Sequence, residues 1–261
     1  MEAQVIQSIA DKLDEARQSR KPIATLTESY AGFTVADAYQ VQLTNINREL
    51  KRGRSIIGKK IGLTSKGMQQ MLGVSEPDYG ILLDNMMAET ESPVSLQALI
   101  QPRIEAEIAF ILKKQLKGPG IGMAQVLQAT EGVMPAFEII DSRIQNWKIK
   151  LPDTVADNAS SAMLILGSTL TDVKGIDLQM VGMVFEQNGK IIATATGAEV
   201  LGHPAVAVAW LANKLAEYGH SLEAGEVILS GALTKAMEIA ENDTFRASFA
   251  GLGSVKGRFA R

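Results

Sequence analysis

The segment Ile104–Leu112 constrains the fold more than any other. Ile104, Ala106, Ile108, Phe110 and Leu112 alternate with Glu105, Glu107, Ala109 and Ile111. A period of two sends the first set to one face of a strand and the second to the other, so the segment predicts a β-strand with one wholly apolar face. Strands disfavour glutamate, and Glu105 and Glu107 project from the same face, where like charges repel unless a cation or solvent screens them. A chain containing this strand needs a core on one side and an answer for two carboxylates on the other.

The neighbouring patterns divide the chain into helices first and a mostly β body after them. Residues 3–19 carry Val5, Ile6, Ile9, Ala10 and Leu13 at helical spacing, and a second helix is predicted from a Thr34 cap, with Asp37 as a capping box, to about Leu50. Ile56–Gly62 is a short strand, and Ser65 caps a short helix through Met71. Further strands are expected over Val133–Ile140, Ala162–Gly167, Glu226–Ser230, Thr244–Phe249 and Ser254–Phe259. Asn188-Gly189 between Met183–Gln187 and Ile191–Ala195 is a hairpin signal, and Pro204–Tyr218 is a helix closed by Gly219. Strands and helices do not alternate regularly, so the class is α+β. The one plausible boundary falls near residues 85–100, giving an N-terminal helical and β segment over residues 1–85 and a body over residues 86–261, or a single compact unit.

Composition removes several function classes. The chain has no cysteine, so disulfides, thiolate metal sites and cysteine nucleophiles are excluded, and any metal must be held by oxygen or histidine. The 26 basic and 29 acidic residues are interspersed, leaving no basic stripe for nucleic acid. No signal-peptide core or long apolar run appears, and the expectation is a soluble, cytoplasmic protein with no membrane partner.

Glu138 lies in another apolar strand, where a carboxylate buried unpaired is costly. If Glu105, Glu107 and Glu138 converge, they form a hard oxygen site suited to Mg²⁺ or Mn²⁺ rather than Zn²⁺ or Cu²⁺. The alternative is that they face solvent or pair with Arg103, Arg143 or lysines. Lys59 and Lys60 sit inside an apolar strand between Gly58 and Gly62, so one ammonium goes to each face: an inward lysine suits acid-base work, and an edge strand with solvated lysines is the plainer reading. Asp78 lies in Glu76-Pro77-Asp78-Tyr79-Gly80, which reads as a turn. The polar connection Asp141–Ser161 is a candidate lid. Asn158-Ala159-Ser160 matches a glycosylation acceptor only by chance, Gly118–Gly122 is a turn without a phosphate-loop frame, and His203 before Pro204 is assigned a local structural role. No serine has a nucleophile-elbow context.

Four motifs occur in order: Gly58-Lys59-Lys60-Ile61-Gly62-Leu63-Thr64-Ser65, Glu76-Pro77-Asp78-Tyr79-Gly80, Pro102-Arg103-Ile104-Glu105-Ala106-Glu107 and Asp153-Thr154-Val155-Ala156-Asp157-Asn158-Ala159-Ser160. With Leu201-Gly202-His203-Pro204 and Gly251-Leu252-Gly253-Ser254-Val255, the chain resembles, over nearly its whole length, the 2-oxopent-4-enoate hydratase and 4-oxalocrotonate decarboxylase family of the fumarylacetoacetate hydrolase superfamily. The resemblance implies a mixed β-roll with an N-terminal helical part, and a metal triad of Glu105, Glu107 and Glu138 holding Mg²⁺ or Mn²⁺. It implies catalytic roles for Lys60 and Asp78 and substrate contacts at Lys59, Leu63, Asp157 and Ser160. Lys59 and Asp78 stand where the decarboxylases resemble one another in other residues, and Trp147-Lys148-Ile149-Lys150 is closer to the pentadienoate enzymes. The implied activity is therefore hydration of 2-hydroxypenta-2,4-dienoate in aromatic meta-cleavage catabolism, by a homo-oligomer able to associate with a related decarboxylase or hydratase. Its rivals are decarboxylation of 2-oxohex-3-enedioate, hydration of a longer 2-oxo diacid, a stabilising subunit and, last, a C–C hydrolase.

Overall fold

The computed structural model describes residues 1–89 and 92–261. Positions 90 and 91, within the expected boundary near 85–100, lie outside the described residues. The chain opens with helices α1 (Ala3–Ser19), α2 (Leu26–Ser29) and α3 (Val35–Lys51). Strand β1 (Ile56–Gly62), helix α4 (Lys66–Leu72) and strands β2 (Asp78–Leu83), β3 (Val94–Ser95) and β4 (Arg103–Leu112) follow. Next come α5 (Met123–Ala129), β5 (Thr130–Ile140), α6 (Leu151–Ala156), β6 (Ser161–Leu166), β7 (Gly182–Gln187) and β8 (Lys190–Thr196). Helix α7 (Pro204–Ala216) precedes β9 (Val227–Ala232), β10 (Met237–Glu238), β11 (Thr244–Phe249) and β12 (Gly253–Ala260).

The local signals act as expected at most ends. The Thr34 hydroxyl accepts from the Asp37 amide and the Asp37 carboxylate accepts from the Thr34 amide, satisfying two amides that the first turn of α3 leaves free. Ser65 caps α4, and the His203 Nδ1 accepts from the Ala205 amide at the start of α7, a structural role. Asn188 and Gly189 both have positive φ, 53° and 75°, which matches the twist of the β7–β8 hairpin.

Seven strands form one mixed sheet in the order β2-β1-β9-β4-β5-β6, with β10 paired to β4; β1 and β9 run parallel. Five form a second sheet in the order β3-β12-β11-β7-β8. The strands before residue 85 therefore share a sheet with strands from the end of the chain. The apolar side of β4, with Ile104, Ala106, Ile108 and Phe110, joins the main core. Phe137 of β5 meets Phe185 of β7 with ring centroids 5.6 Å apart, and Phe185, Phe245 and Phe259 continue the contact through the second sheet. Each fully buried ring contributes on the order of 1.5–3 kcal/mol, so this seam holds the sheets together and leaves the opposite side of β4 and β5 for Glu105, Glu107 and Glu138.

Two expectations are corrected. The turn expected around Asp78 ends before it: Asp78 opens β2, whose residues are all buried. The apolar run Tyr79–Leu83 outweighs the Pro and Gly signals, and Gly80 serves close packing, since a Cβ there would stand 2.5 Å from the Asn158 carbonyl oxygen. The connection Asp141–Ser161 is not a free lid. It folds as α6 and flanking tight turns, with Asp153, Thr154, Val155, Ala156 and Asp157 buried and Arg143 bound to Asp157 by backbone amide and guanidinium alike. Its polar residues find partners inside the protein, so polarity did not signal exposure.

Candidate metal centre and its cavity

The antiparallel register of β4 and β5 sets Glu105 directly opposite Glu138, with Glu107 two residues along the same face. One oxygen from each of the three carboxylates lies within 4.8 Å of the others. Glu107 and Glu138 are 0% exposed, while Glu105 reaches the cavity. One oxygen of Glu107 accepts from the Gly231 amide at 2.7 Å. That close approach needs Gly231, whose φ is +120° and whose added Cβ would lie 2.2 Å from the Thr64 hydroxyl. The other oxygen of Glu107 and both of Glu138 have no hydrogen-bond partner among the described residues. Buried orphaned carboxylate oxygens aimed at one point fit a hard divalent cation, and none of these donors is the sulfur or imidazole that softer metals prefer.

Electrostatics agree. Burial, and then the Glu138 charge, push Glu105 up from 4.5 to about 7; burial, Glu138 and Glu105 push Glu107 well above its ordinary value. Carboxylates raised in the fold contribute stability below their unfolded value near 4.5 and lose it as pH rises through the folded value. Metal-free protein is therefore expected to show a falling Tm as pH goes from about 5 to about 8. A bound cation replaces the protons, so added Mg²⁺ should raise Tm more at pH 8 than at pH 5, with apparent affinity changing about tenfold per pH unit for each proton displaced. Thermal scans across that range check it; an Mg²⁺ shift that is flat or larger at low pH contradicts the proton exchange.

Lys60 projects to this face. Its Nζ lies 3.2 Å from Glu138 Oε2, an ion pair without hydrogen-bond alignment, and donates to the Ala159 carbonyl at 3.1 Å. Burial alone would lower its pKa, but the charges of Glu138, Asp78, Glu105 and Glu107 outweigh burial and hold the ammonium above its ordinary value. Asp78 pairs with Gly62 across β1 and β2, and one of its oxygens has no hydrogen-bond partner among the described residues. Burial raises its pKa against the opposing charge of Lys60. Gly62 is required here, because a Cβ would meet the Asp78 Oδ1 at 2.1 Å.

Above these groups lies a cavity of about 700 Å³. Leu63, Met68, Ile140, Trp147, Ile149 and Leu233 give it apolar walls; Lys60, Asp78, Glu105, Thr154 and Ser160 supply its polar floor. The structure thus brings Lys60, Asp78, Leu63 and Ser160 to the carboxylate cluster. It does not bring Lys59 or Asp157 there. Lys59 leaves the opposite face of β1 and forms a buried pair with Glu226 at 2.5 Å, because alternation that turns Lys60 inward turns its neighbour away. Asp157 is 3% exposed and held by Arg143 behind the cavity wall, which makes it a support rather than a contact surface. Three features escaped the sequence reading: Thr154 in the floor, the Ala159 carbonyl on Lys60, and the Arg103 guanidinium stacked 4.7 Å above Trp147 at the cavity wall. All three positions stand inside the quoted motifs, but contacts across some forty residues or more, such as Arg103 with Trp147 and Lys60 with Ala159, are invisible to local pattern.

This fold and its matching sequence define the class: the chain belongs to the fumarylacetoacetate (FAA) hydrolase C-terminal family, matched over residues 61–260. Within it, the chain is 47% identical over 258 residues to 2-hydroxyhexa-2,4-dienoate hydratase of Comamonas testosteroni, covering 98% of each chain. It is 44% identical over 259 residues to 2-keto-4-pentenoate hydratase of Paraburkholderia xenovorans (strain LB400), covering 99% of this chain and 96% of the relative. Among solved structures, 4-oxalocrotonate decarboxylase from Pseudomonas putida G7, complexed with magnesium and adipate, superposes with a TM-score of 0.96 at 39% identity, over 99% of this chain and 98% of that one. The resemblance inferred from the four motifs, and the fold with its N-terminal helical part, hold.

Proposed function

We propose that the protein is a divalent-metal-dependent hydro-lyase that adds water to 2-hydroxypenta-2,4-dienoate and yields 4-hydroxy-2-oxopentanoate. The observation that carries this reading is the cluster of three carboxylates, largely without partners, under a cavity whose floor holds one buried ammonium and one raised carboxyl. Two full-length relatives named as hydratases of short 2-hydroxydienoic or 2-keto acids support it. Glu105, Glu107 and Glu138 would hold Mg²⁺ or Mn²⁺, which supplies Lewis-acid withdrawal of electrons from the substrate carboxylate and 2-oxygen.

The chain's own groups then have defined tasks. The apolar walls of Leu63, Met68 and Trp147 exclude bulk water around the hydrocarbon end of the substrate. Lys60, kept protonated, donates the proton that arrives at C5, and the proton leaving the 2-hydroxyl restores its ammonium, as the dienol becomes a 2-oxo acid with a C3–C4 double bond. Asp78 accepts a proton from the water that adds at C4, and the same proton is returned at C3, so one water is consumed and nothing else is released. Ser160 and Thr154, with hydroxyl oxygens 3.5 Å apart, orient that water.

One observation favours a second reading: the solved structure superposed above is a decarboxylase. Chelator-stripped protein given Mg²⁺ and freshly made 2-hydroxypenta-2,4-dienoate should lose the dienol absorbance and form 4-hydroxy-2-oxopentanoate. Absence of that product together with CO₂ release from 2-oxohex-3-enedioate selects the decarboxylase instead. The proposal includes the family's expected setting, a cytoplasmic homo-oligomer able to associate with a related decarboxylase or hydratase; one defined oligomer in light scattering supports self-association, and a monomer opposes it.

A further inference from the structure

Three consecutive residues, Asn158, Ala159 and Ser160, have positive φ of 54°, 50° and 56°. Asn tolerates this region; Ala and Ser do not choose it, and such backbone persists only where its surroundings over-determine it. One end of the turn is anchored through Asp157, whose carboxylate is bound by Arg143. The other restraint is the Asn158 side chain. Strand β2 is the edge of its sheet, and Ile81 turns its free backbone groups outward. The Asn158 Oδ1 accepts from the Ile81 amide at 2.8 Å and its Nδ2 donates to the Ile81 carbonyl at 2.9 Å, as a neighbouring strand would. Gly80 lets the turn lie flush against β2. What the turn presents inward is chemistry: the Ala159 carbonyl takes the Lys60 ammonium, and the Ser160 hydroxyl lines the cavity.

The geometry points to Asn158 as a positioning residue: its carboxamide closes the edge of β2 onto the left-handed turn, and so sets Lys60 and Ser160 against the substrate. This rests on the hydratase reading for its kinetic consequence. The turn reaches the carboxylate cluster through Lys60, whose ammonium takes the Ala159 carbonyl and pairs with Glu138, so Asn158 acts first on the proton-transfer group and only through it on the metal site.

N158G keeps the left-handed conformation available and removes both hydrogen bonds; N158A also adds strain. In the full-length, Mg²⁺-loaded protein both are expected to lower kcat on 2-hydroxypenta-2,4-dienoate about 100-fold while KM moves by no more than about threefold, the signature of misplaced reacting groups. Calorimetric Mg²⁺ affinity of chelator-stripped N158G should stay within about threefold of the wild type, far less than the loss in kcat. Wild-type kcat in N158G overturns the inference, and so does a loss of Mg²⁺ affinity in step with kcat, which would make Asn158 a general structural residue. If the wild type itself fails to turn over the dienoate, the hydratase reading falls, and hydrogen exchange of the β2 peptide decides the inference separately: faster exchange in N158G at unchanged Mg²⁺ affinity supports it, and unchanged protection overturns it.

Discussion

Glu107→Gln is expected to abolish metal-dependent turnover and leave the protein folded. The substitution preserves shape, and the new amide oxygen keeps the hydrogen bond from Gly231. It removes one of three carboxylates that lie together, two of them fully buried and the third at the cavity. In metal-free protein those charges oppose one another, as the raised values of Glu105 and Glu107 record. The metal-free variant should therefore melt at or above the wild type, by a few degrees at most, where about 1 kcal/mol corresponds to 2–4 °C at this chain length. Mg²⁺ should no longer raise its Tm. Turnover should fall about 1,000-fold or more, because the electron withdrawal contributed by the cation is worth several kcal/mol and each 1.4 kcal/mol is about tenfold in rate. Melting curves with and without Mg²⁺, beside a rate assay, separate the two effects; a variant that keeps both the Mg²⁺ shift and the rate removes Glu107 from the metal centre.

Lys60→Met has the opposite stability signature. Lys60 is 3% exposed and is the cation that faces Glu138, Asp78, Glu105 and Glu107. Removing one partner of a buried charge pair costs about 3–5 kcal/mol, since the remaining charges stay buried without compensation. Metal-free K60M should accordingly melt well below the wild type, and saturating Mg²⁺ should recover much of that loss by supplying positive charge at the carboxylates. Turnover should not recover: a proton-transfer group contributes about 10²–10⁴-fold, and methionine has no proton to give. A metal-loaded K60M within tenfold of wild-type rate would take Lys60 out of the proton-transfer role.

Much of this architecture was legible because its signals are local. The period of two in Ile104–Leu112 identified both the strand and the side on which the carboxylates stand. The Thr34 and Asp37 cap and the Asn188-Gly189 turn encode their own geometry within four residues. The convergence of Glu138 on Glu105 is a matter of register between two strands; residue types left it open beside pairing with arginines or lysines, and family resemblance made it the favoured reading. Lys59 shows the limit of spacing arguments: alternation required one lysine inward and one outward, and burial of both, one on Glu138 and one on Glu226, was outside what adjacent residues disclose. The misread segments, Asp78 and Asp141–Ser161, failed for one reason. Polar residues and turn formers there are buried, Asp78 beside Lys60 and the later segment on partners such as Thr27 and Ile81, whereas sequence pattern equates them with surface.

The proposed function requires Glu105, Glu107 and Glu138 to hold a divalent cation at the floor of the cavity. Crystals of the chelator-stripped protein soaked in Mn²⁺ and measured at a wavelength where manganese scatters anomalously test this most directly. One dominant anomalous peak per chain is expected, between these three carboxylates and absent in Glu107→Gln crystals treated the same way. A peak elsewhere with none at the triad, or a triad peak that survives unchanged in that variant, would contradict it.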